Sequence, residues 1–217
     1  MKAALLAELD ARLGSLARTG SLRSKRAPGL FETYLWSILI EAAKAEGATA
    51  AYRQLGTSGR LVMPQGPRNL FGNQFSFARL DFGDYALEAH TNLFVEGRSK
   101  VVHECDVALL DAEEAGVLRD RGVHPKASKL ILAVECKFHG PPVPLDEARS
   151  FLGLTTEIAT TNRFMVSNAS PERIQKVLVR HKRLWKMPVV PSDSRRVSAL
   201  QASFEDVFRD YAAMRGA

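Results

Sequence analysis

Cysteine is scarce: two residues in a chain of 217 cannot build a disulfide framework. Both lie in apolar, strand-like runs, which reads as free thiols in a reducing compartment and therefore as a cytoplasmic protein. No apolar run approaches the roughly 18 residues that span a bilayer. The opening "MKAALLAELDAR" meets acids and an arginine too early for a secretory signal. It reads instead as an amphipathic helix over residues 1–17, with Leu5, Leu6, Leu9, Leu13 and Leu16 on one side. Repeats and low-complexity tracts are absent. There is no phosphate loop, dinucleotide fingerprint or Ser-His-Asp order, and neither a helix-turn-helix nor a zinc finger is recognisable.

A hydrophobic fraction of 46% is enough for a sizeable core. The length suits a single domain spanning 1–217, with the helix 1–17 and C-terminal helices over 171–215 added to a central core. A formal net charge of +6 and a sequence pI near 9.5 fit a polyanionic partner, nucleic acid above all, and fit a soluble basic protein as well. Basic residues cluster at Arg18, Arg23, Lys25 and Arg26, and again in "RHKRLWK". There Lys182 and Arg183 are candidate phosphate contacts, or cations that simply suit a helix end.

A helix is expected over 30–45, where Phe31, Tyr34, Leu35, Ile38, Leu39 and Ala42 recur at helical spacing. A Gly- and Pro-rich stretch follows, with one short strand near Leu61. Its "GPRNLFGNQF" has the content of a loop that lies on a nucleic-acid backbone or stacks a base, and equally of a plain connector. Strand-like runs occupy 75–82, 85–95, 101–110 and 130–138. The charged "DAEEAGVLRDRGVHPKAS" between the last two reads as an exposed excursion. Beyond it come a helix over 147–159 with Asp146 as its N-cap, a short strand in "RFMVSNA", a helix opened by Ser170 and Pro171, and a last helix capped by Ser203. The order describes a mixed α/β domain.

The stretch "KLILAVECKF" carries the chemistry. Strand alternation points Leu130, Leu132, Val134, Cys136 and Phe138 one way and Ile131, Ala133, Glu135 and Lys137 the other. An acid and a base thus share a face of a strand too apolar for a sheet edge, where unpaired charge is costly. In "VVHECDVALL" the same alternation groups His103, Cys105, Val107 and Leu109 on one face and Glu104, Asp106, Ala108 and Leu110 on the other. If the two strands pair, Asp106, Glu135 and Lys137 converge. Two carboxylates suit a hard cation such as Mg²⁺, which keeps several waters. A lysine beside them can orient or deprotonate a water, or stabilise charge in a transition state. A buried Glu135–Lys137 ion pair is the bland alternative.

With Asp106 on one strand and Glu135-Cys136-Lys137 after the apolar "LILA", the sequence resembles the PD-(D/E)XK nuclease superfamily. The resemblance implies a restriction-endonuclease-like fold, a central mixed sheet flanked by helices in the order αβββαβ. It implies Asp106 and Glu135 as ligands of Mg²⁺ or Mn²⁺, the Cys136 backbone carbonyl as a third contact, and Lys137 as the catalytic lysine. It also implies a glutamate from the helix before the sheet. Glu41, at the flank of the apolar face, is preferred to Glu32 in the first turn. Glu104 is a further ligand or a partner that orients one. The proline of the family name is missing, since Cys105 precedes Asp106. The helix after the site strand offers Arg149, Thr155, Thr156 and Glu157 as substrate contacts, and His139 is a candidate phosphate contact. The expected activity is metal-dependent endonucleolytic cleavage, of DNA more than RNA, in defence or DNA processing. A homodimer is expected if double strands are cut, with a protein partner as one source of specificity. The alternatives are a non-catalytic nucleic-acid-binding or assembly module and a ribonuclease. A zinc site built from His103, Cys105, Cys136 and His139 is disfavoured, because Cys136 and His139 alternate to opposite faces.

Overall fold

The structure is a computed structural model and describes residues 27–57, 59–138, 144–169, 172–181, 184–186 and 188–216. The helix expected over 1–17, His139, Lys182 and Arg183 lie outside the described residues.

The first helix, α1 (Ala27–Ala45), is apolar nearly all round, with Phe31, Leu35, Trp36 and Leu39 essentially inaccessible. A helix of that pattern must be covered on several sides. It is packed between the sheet and the long α5 (Ser194–Gly216), and the Trp36 indole donates to the Ala89 carbonyl at 3.0 Å. The sheet runs in chain order: β1 (Thr49–Arg53), β2 (Phe77–Asp81), β3 (Ala86–Glu96), β4 (Val102–Asp111), β5 (Leu130–Lys137), β6 (Arg163–Ser167) and β7 (Leu184–Lys186). Neighbours are antiparallel from β1 to β5 and parallel from β5 to β7. The parallel steps need crossovers, supplied by α3 (Leu145–Glu157) and α4 (Glu172–Arg180). This is an α/β domain with a mixed sheet flanked by helices. On one face α1 and α5 form the main core with Leu80, Leu87, Val107, Leu132 and Val134; on the other, α2 (Ala112–Arg121), α3 and α4 cover Ala108, Ala133 and Met165.

Several expectations are corrected. The "DAEEAGVLRDRG" stretch forms α2, because Asp111 accepts from the N–H groups of Glu113 and Glu114 and Gly122 ends the helix at φ 65°. No strand forms near Leu61. Leu61 and Met63 are buried as irregular chain, and the extra strand is β1. Helix α3 starts at Leu145 after Pro144, so Asp146 lies in its first turn and pairs with Arg149 rather than capping. Helix α5 starts nine residues before Ser203. Asp193 caps it by accepting from the Arg196 N–H, and the Ser203 hydroxyl donates back to the Ala199 carbonyl. A strand, β7, interrupts the region expected to be helical over 171–215. Leu200, Phe204, Val207 and Phe208 of α5 belong to the main hydrophobic cluster. Among the described residues no helix is long and apolar enough to cross a membrane.

Candidate active site

Strands β4 and β5 pair as far as Val107↔Val134 and then diverge. Beyond that point β4 continues beside β3 alone, to Glu96↔Val102, and β5 continues beside β6 alone, to Lys137↔Ser167. The fork leaves ladder groups without a strand partner, and a side chain takes over. The Cys136 N–H donates to Asp106 Oδ2 at 2.6 Å. Asp106 thereby bridges the fork and is itself half-buried in it.

Around Asp106, carboxylates gather close to Lys137. Lys137 Nζ lies 2.7 Å from Glu135 Oε1 and 3.4 Å from Glu147 Oε2, with 23% of the lysine and 16% of Glu135 exposed. Burial, then Glu135 and Glu32, push the Asp106 carboxyl well above the usual carboxylate range. Glu135 is raised too, by burial and by Glu104 and Glu147, although Lys137 opposes the change. Burial works against the charge on Lys137, but Glu135, Asp106 and Glu147 outweigh it and hold the ammonium above its ordinary value. The lysine is therefore a proton-bearing donor in this arrangement.

The alternation inferred from sequence breaks inside the site. Leu87 and Ala89 of β3 face α1, whereas Leu93 and Val95, also odd-numbered, belong to the opposite cluster. On β4, Val107 and Leu109 face α1 while Cys105 faces away, contrary to the grouping expected. The two breaks fall at Asn92, whose φ is 52°, and at its neighbour Asp106. The left-handed Asn92 and the face change on β4 thus sit opposite one another across the ladder. Leu130 also leaves the face of Leu132, at the irregularity where β4 shifts register between Leu109 and Leu110.

The break brings Glu104 toward α1. The Asn92 side-chain amide donates to Glu32 Oε2 at 2.9 Å and to Glu104 Oε1 at 3.2 Å. The helix glutamate at this cluster is thus Glu32. The structure does not bring Glu41 there: its side chain is 60% exposed and pairs with Lys44 at 2.8 Å. Nine residues along a helix amount to roughly 13 Å and about half a revolution, so the two glutamates face opposite ways. Asp106, Glu135, Lys137, Glu104 and the Cys136 backbone are brought together. Arg149 is solvent-facing beside Asp146, Thr156 is exposed and donates to the Gly153 carbonyl, and the buried Thr155 donates to the Leu152 carbonyl. Glu157 accepts from the Ser99 N–H and hydroxyl, tying the β3–β4 turn to α3. Arg68, in the loop weighed as a nucleic-acid contact, is only 3% exposed and turned inward.

Sequence reasoning missed Asn92 and Glu147. The polar run His90-Thr91-Asn92 inside an otherwise apolar strand was the available signal for the first. The second had none beyond its place in a first helical turn. No protein-family model matches the chain, and no curated protein matches it.

Metal fit follows from the donors. Among the described residues no three His, Cys, Asp or Glu side chains form a ready-made metal cage, zinc included. Cys105 and Cys136 are free, buried and in opposite clusters. The smaller set of Asp106, Glu135 and the Cys136 carbonyl supplies hard oxygens only, which suits Mg²⁺ or Mn²⁺ retaining waters. Asp106 engages Oδ2, and Glu135 engages Oε1, in the bonds described, so each keeps a second oxygen for a cation.

Proposed function

We propose that the protein is a divalent-metal-dependent nuclease with a restriction-endonuclease-like fold, acting on DNA in preference to RNA. The observation that carries this reading is the convergence of Asp106, Glu135 and the Cys136 backbone at the β4–β5 fork, with Glu104 nearby and Lys137 paired to Glu135, among the described residues. Carboxylates crowded together in a partly buried fork raise one another's pKa, and a bound cation would relieve that repulsion. The antiparallel β3–β4–β5 meander after α1, followed by the crossover through α3 to β6, supports the fold. The basic net charge supports a polyanionic substrate.

Asp106, Glu135 and the Cys136 carbonyl would hold Mg²⁺ or Mn²⁺. The ion would supply Lewis-acid stabilisation of the developing phosphoryl charge. Lys137, kept protonated by its acidic neighbours, donates to the scissile phosphoryl oxygen or to the attacking water and fixes its direction. Glu147 holds the lysine from the far side, so that it spans from β5 to α3. Asp106 bridges the fork and sets its width through the Cys136 N–H. Glu32 and Glu104 replace the Glu41 expected from sequence as supporting acids. A cytoplasmic location fits the two buried free thiols. Homodimerisation for double-strand cutting, a protein partner that sets specificity, and a role in defence or DNA processing belong to the same proposal.

The test is cleavage of supercoiled plasmid, linear duplex, single-stranded DNA and RNA with Mg²⁺ or Mn²⁺, with EDTA and Lys137→Ala beside the wild type. Cutting lost in both controls supports the reading and names the substrate. Cutting undiminished in Lys137→Ala refutes the mechanism. Binding without cutting of any substrate favours the non-catalytic module.

A further inference from the structure

Among the described residues Asn92 is the one non-glycine residue inside a strand with a positive φ, 52°. It is 4% exposed. Its two amide hydrogens go to carboxylates from different elements, Glu32 on α1 and Glu104 on β4, and its Oδ1 is buried with no hydrogen-bond partner. A left-handed backbone and an orphaned acceptor are both costly, and both occur at one residue. Turning the amide over would aim Oδ1 at two carboxylates, so the orientation is forced by the acids it serves.

The backbone beneath Asn92 is held from outside the site. The Arg68 N–H donates to the Asn92 carbonyl at 2.7 Å, and the Phe94 N–H donates to the Arg68 carbonyl at 2.8 Å. Arg68 Nε donates to the Thr91 carbonyl at 3.0 Å. The Arg68 guanidinium in turn donates to His90 Nδ1, His90 Nε2–H donates to Glu88, and Arg119 of α2 closes the chain on the same carboxylate. A buried polar clamp thus fixes the three residues 91, 92 and 94 on both sides of the break in alternation.

We propose that Asn92 is a positioning residue of the nuclease site. It spaces and aims Glu32 and Glu104 so that the acidic cluster is set before a cation arrives. The proposal rests on the metal-dependent nuclease reading. A neutral amide suits the task because it offers two donors from one atom and leaves the negative charge of the cluster intact for the cation. An aspartate would repel both acids, and a lysine would neutralise them.

The test uses the whole chain and Mn²⁺ as the probe, read by calorimetric titration and by thermal melting beside the cleavage assay. Asn92→Gly accepts the positive φ and removes the side chain that holds the two acids. It is expected to melt cooperatively, to bind Mn²⁺ about 10–100-fold more weakly, and to lose cleavage in proportion. Asn92→Asp is expected to melt below wild type without metal and to gain more from added Mn²⁺ than wild type gains; a purely structural defect would not be relieved by the ion. Wild-type Mn²⁺ affinity and cleavage in Asn92→Gly overturn the proposal and leave the nuclease reading standing. If the glycine variant does not melt cooperatively, Asn92→Asp decides, and a melt and a Mn²⁺ response equal to wild type overturn it. Asp106→Asn is the separate control. Mn²⁺ binding that is absent in wild type, or unchanged by Asp106→Asn, fails the nuclease reading and takes this proposal with it.

Discussion

His90 makes the stability of the fold depend on pH in a direction and window that the structure fixes. The imidazole is fully buried, stacked on Phe77 at 4.8 Å, and faced by Arg68, Glu88 and Arg119. Because Arg68 donates to Nδ1, the neutral ring donates through Nε2 to Glu88, and a second proton has no place to go. Burial first, and then the neighbouring Arg68 and Arg119 against the pull of Glu88, lower its pKa from 6.5 to about 4. Between those values the unfolded chain holds a proton that the folded chain refuses, so stability rises with pH across the window and falls as acid is added. At 1.36 kcal/mol per pH unit the loss from pH 7 to pH 4 is about 3 kcal/mol, or ~6–12 °C in melting temperature for a chain of this size. Glu88 adds to the same trend. Burial raises its pKa, but His90 and Arg119 outweigh that and hold it below its ordinary value, so its contribution is also lost in acid. Gln in place of His90 can accept from Arg68 and donate to Glu88 without titrating. The assay is chemical or thermal unfolding of wild type and His90→Gln at steps from pH 4 to pH 7. Wild type should lose stability relative to the variant by about 3 kcal/mol over that range. A difference that stays flat refutes the reasoning.

Three further outcomes are expected. Asp106→Asn abolishes cleavage yet raises the melting temperature of the metal-free protein by ~2–8 °C at neutral pH, because a carboxylate crowded by Glu135 and Glu32 is removed. The gain should vanish in acid, where Asp106 is protonated in both states, and melting curves at two pH values check it. Glu32→Gln lowers cleavage by about 10–100-fold, whereas Glu41→Gln leaves the rate unchanged and stability within about 0.5 kcal/mol, as parallel kinetics and melts will show. Gly97→Ala places a Cβ 2.6 Å from Glu157 Oε2 and 2.8 Å from the His103 ring. It should cost about 1–3 kcal/mol in denaturant unfolding by prising the β3–β4 turn from α3.

What the sequence disclosed was set by periodicity and burial. The apolar runs around Val107 and Val134 are long and regular, so both strands, their pairing and the meeting of Asp106 with Glu135 and Lys137 were legible. The choice between Glu32 and Glu41 was not, because α1 is buried on nearly every side and its composition does not say which flank meets the fork. The alternation rule failed at Cys105, since β4 changes faces opposite the left-handed Asn92 of β3 and nothing in the composition of β4 signals it. Helix α2 was passed over although Asp111 and Gly122 are ordinary cap residues; its charge masked its ends.

The packing of α5 against α1 has a consequence for biosynthesis. The helix that carries Glu32 emerges from the ribosome among the earliest described segments, but Phe204, Val207 and Phe208 complete the cluster around it only some 160 residues later. At ordinary translation speeds of about 5–20 residues per second, Phe31 and Trp36 wait on the order of ten seconds for their cover. The fork residues themselves, Asp106 to Lys137, emerge within that interval, before α5 is present to pack behind α1. A nascent chain stalled before residue 204 would therefore hold every charged group of the cluster and still lack the assembled site.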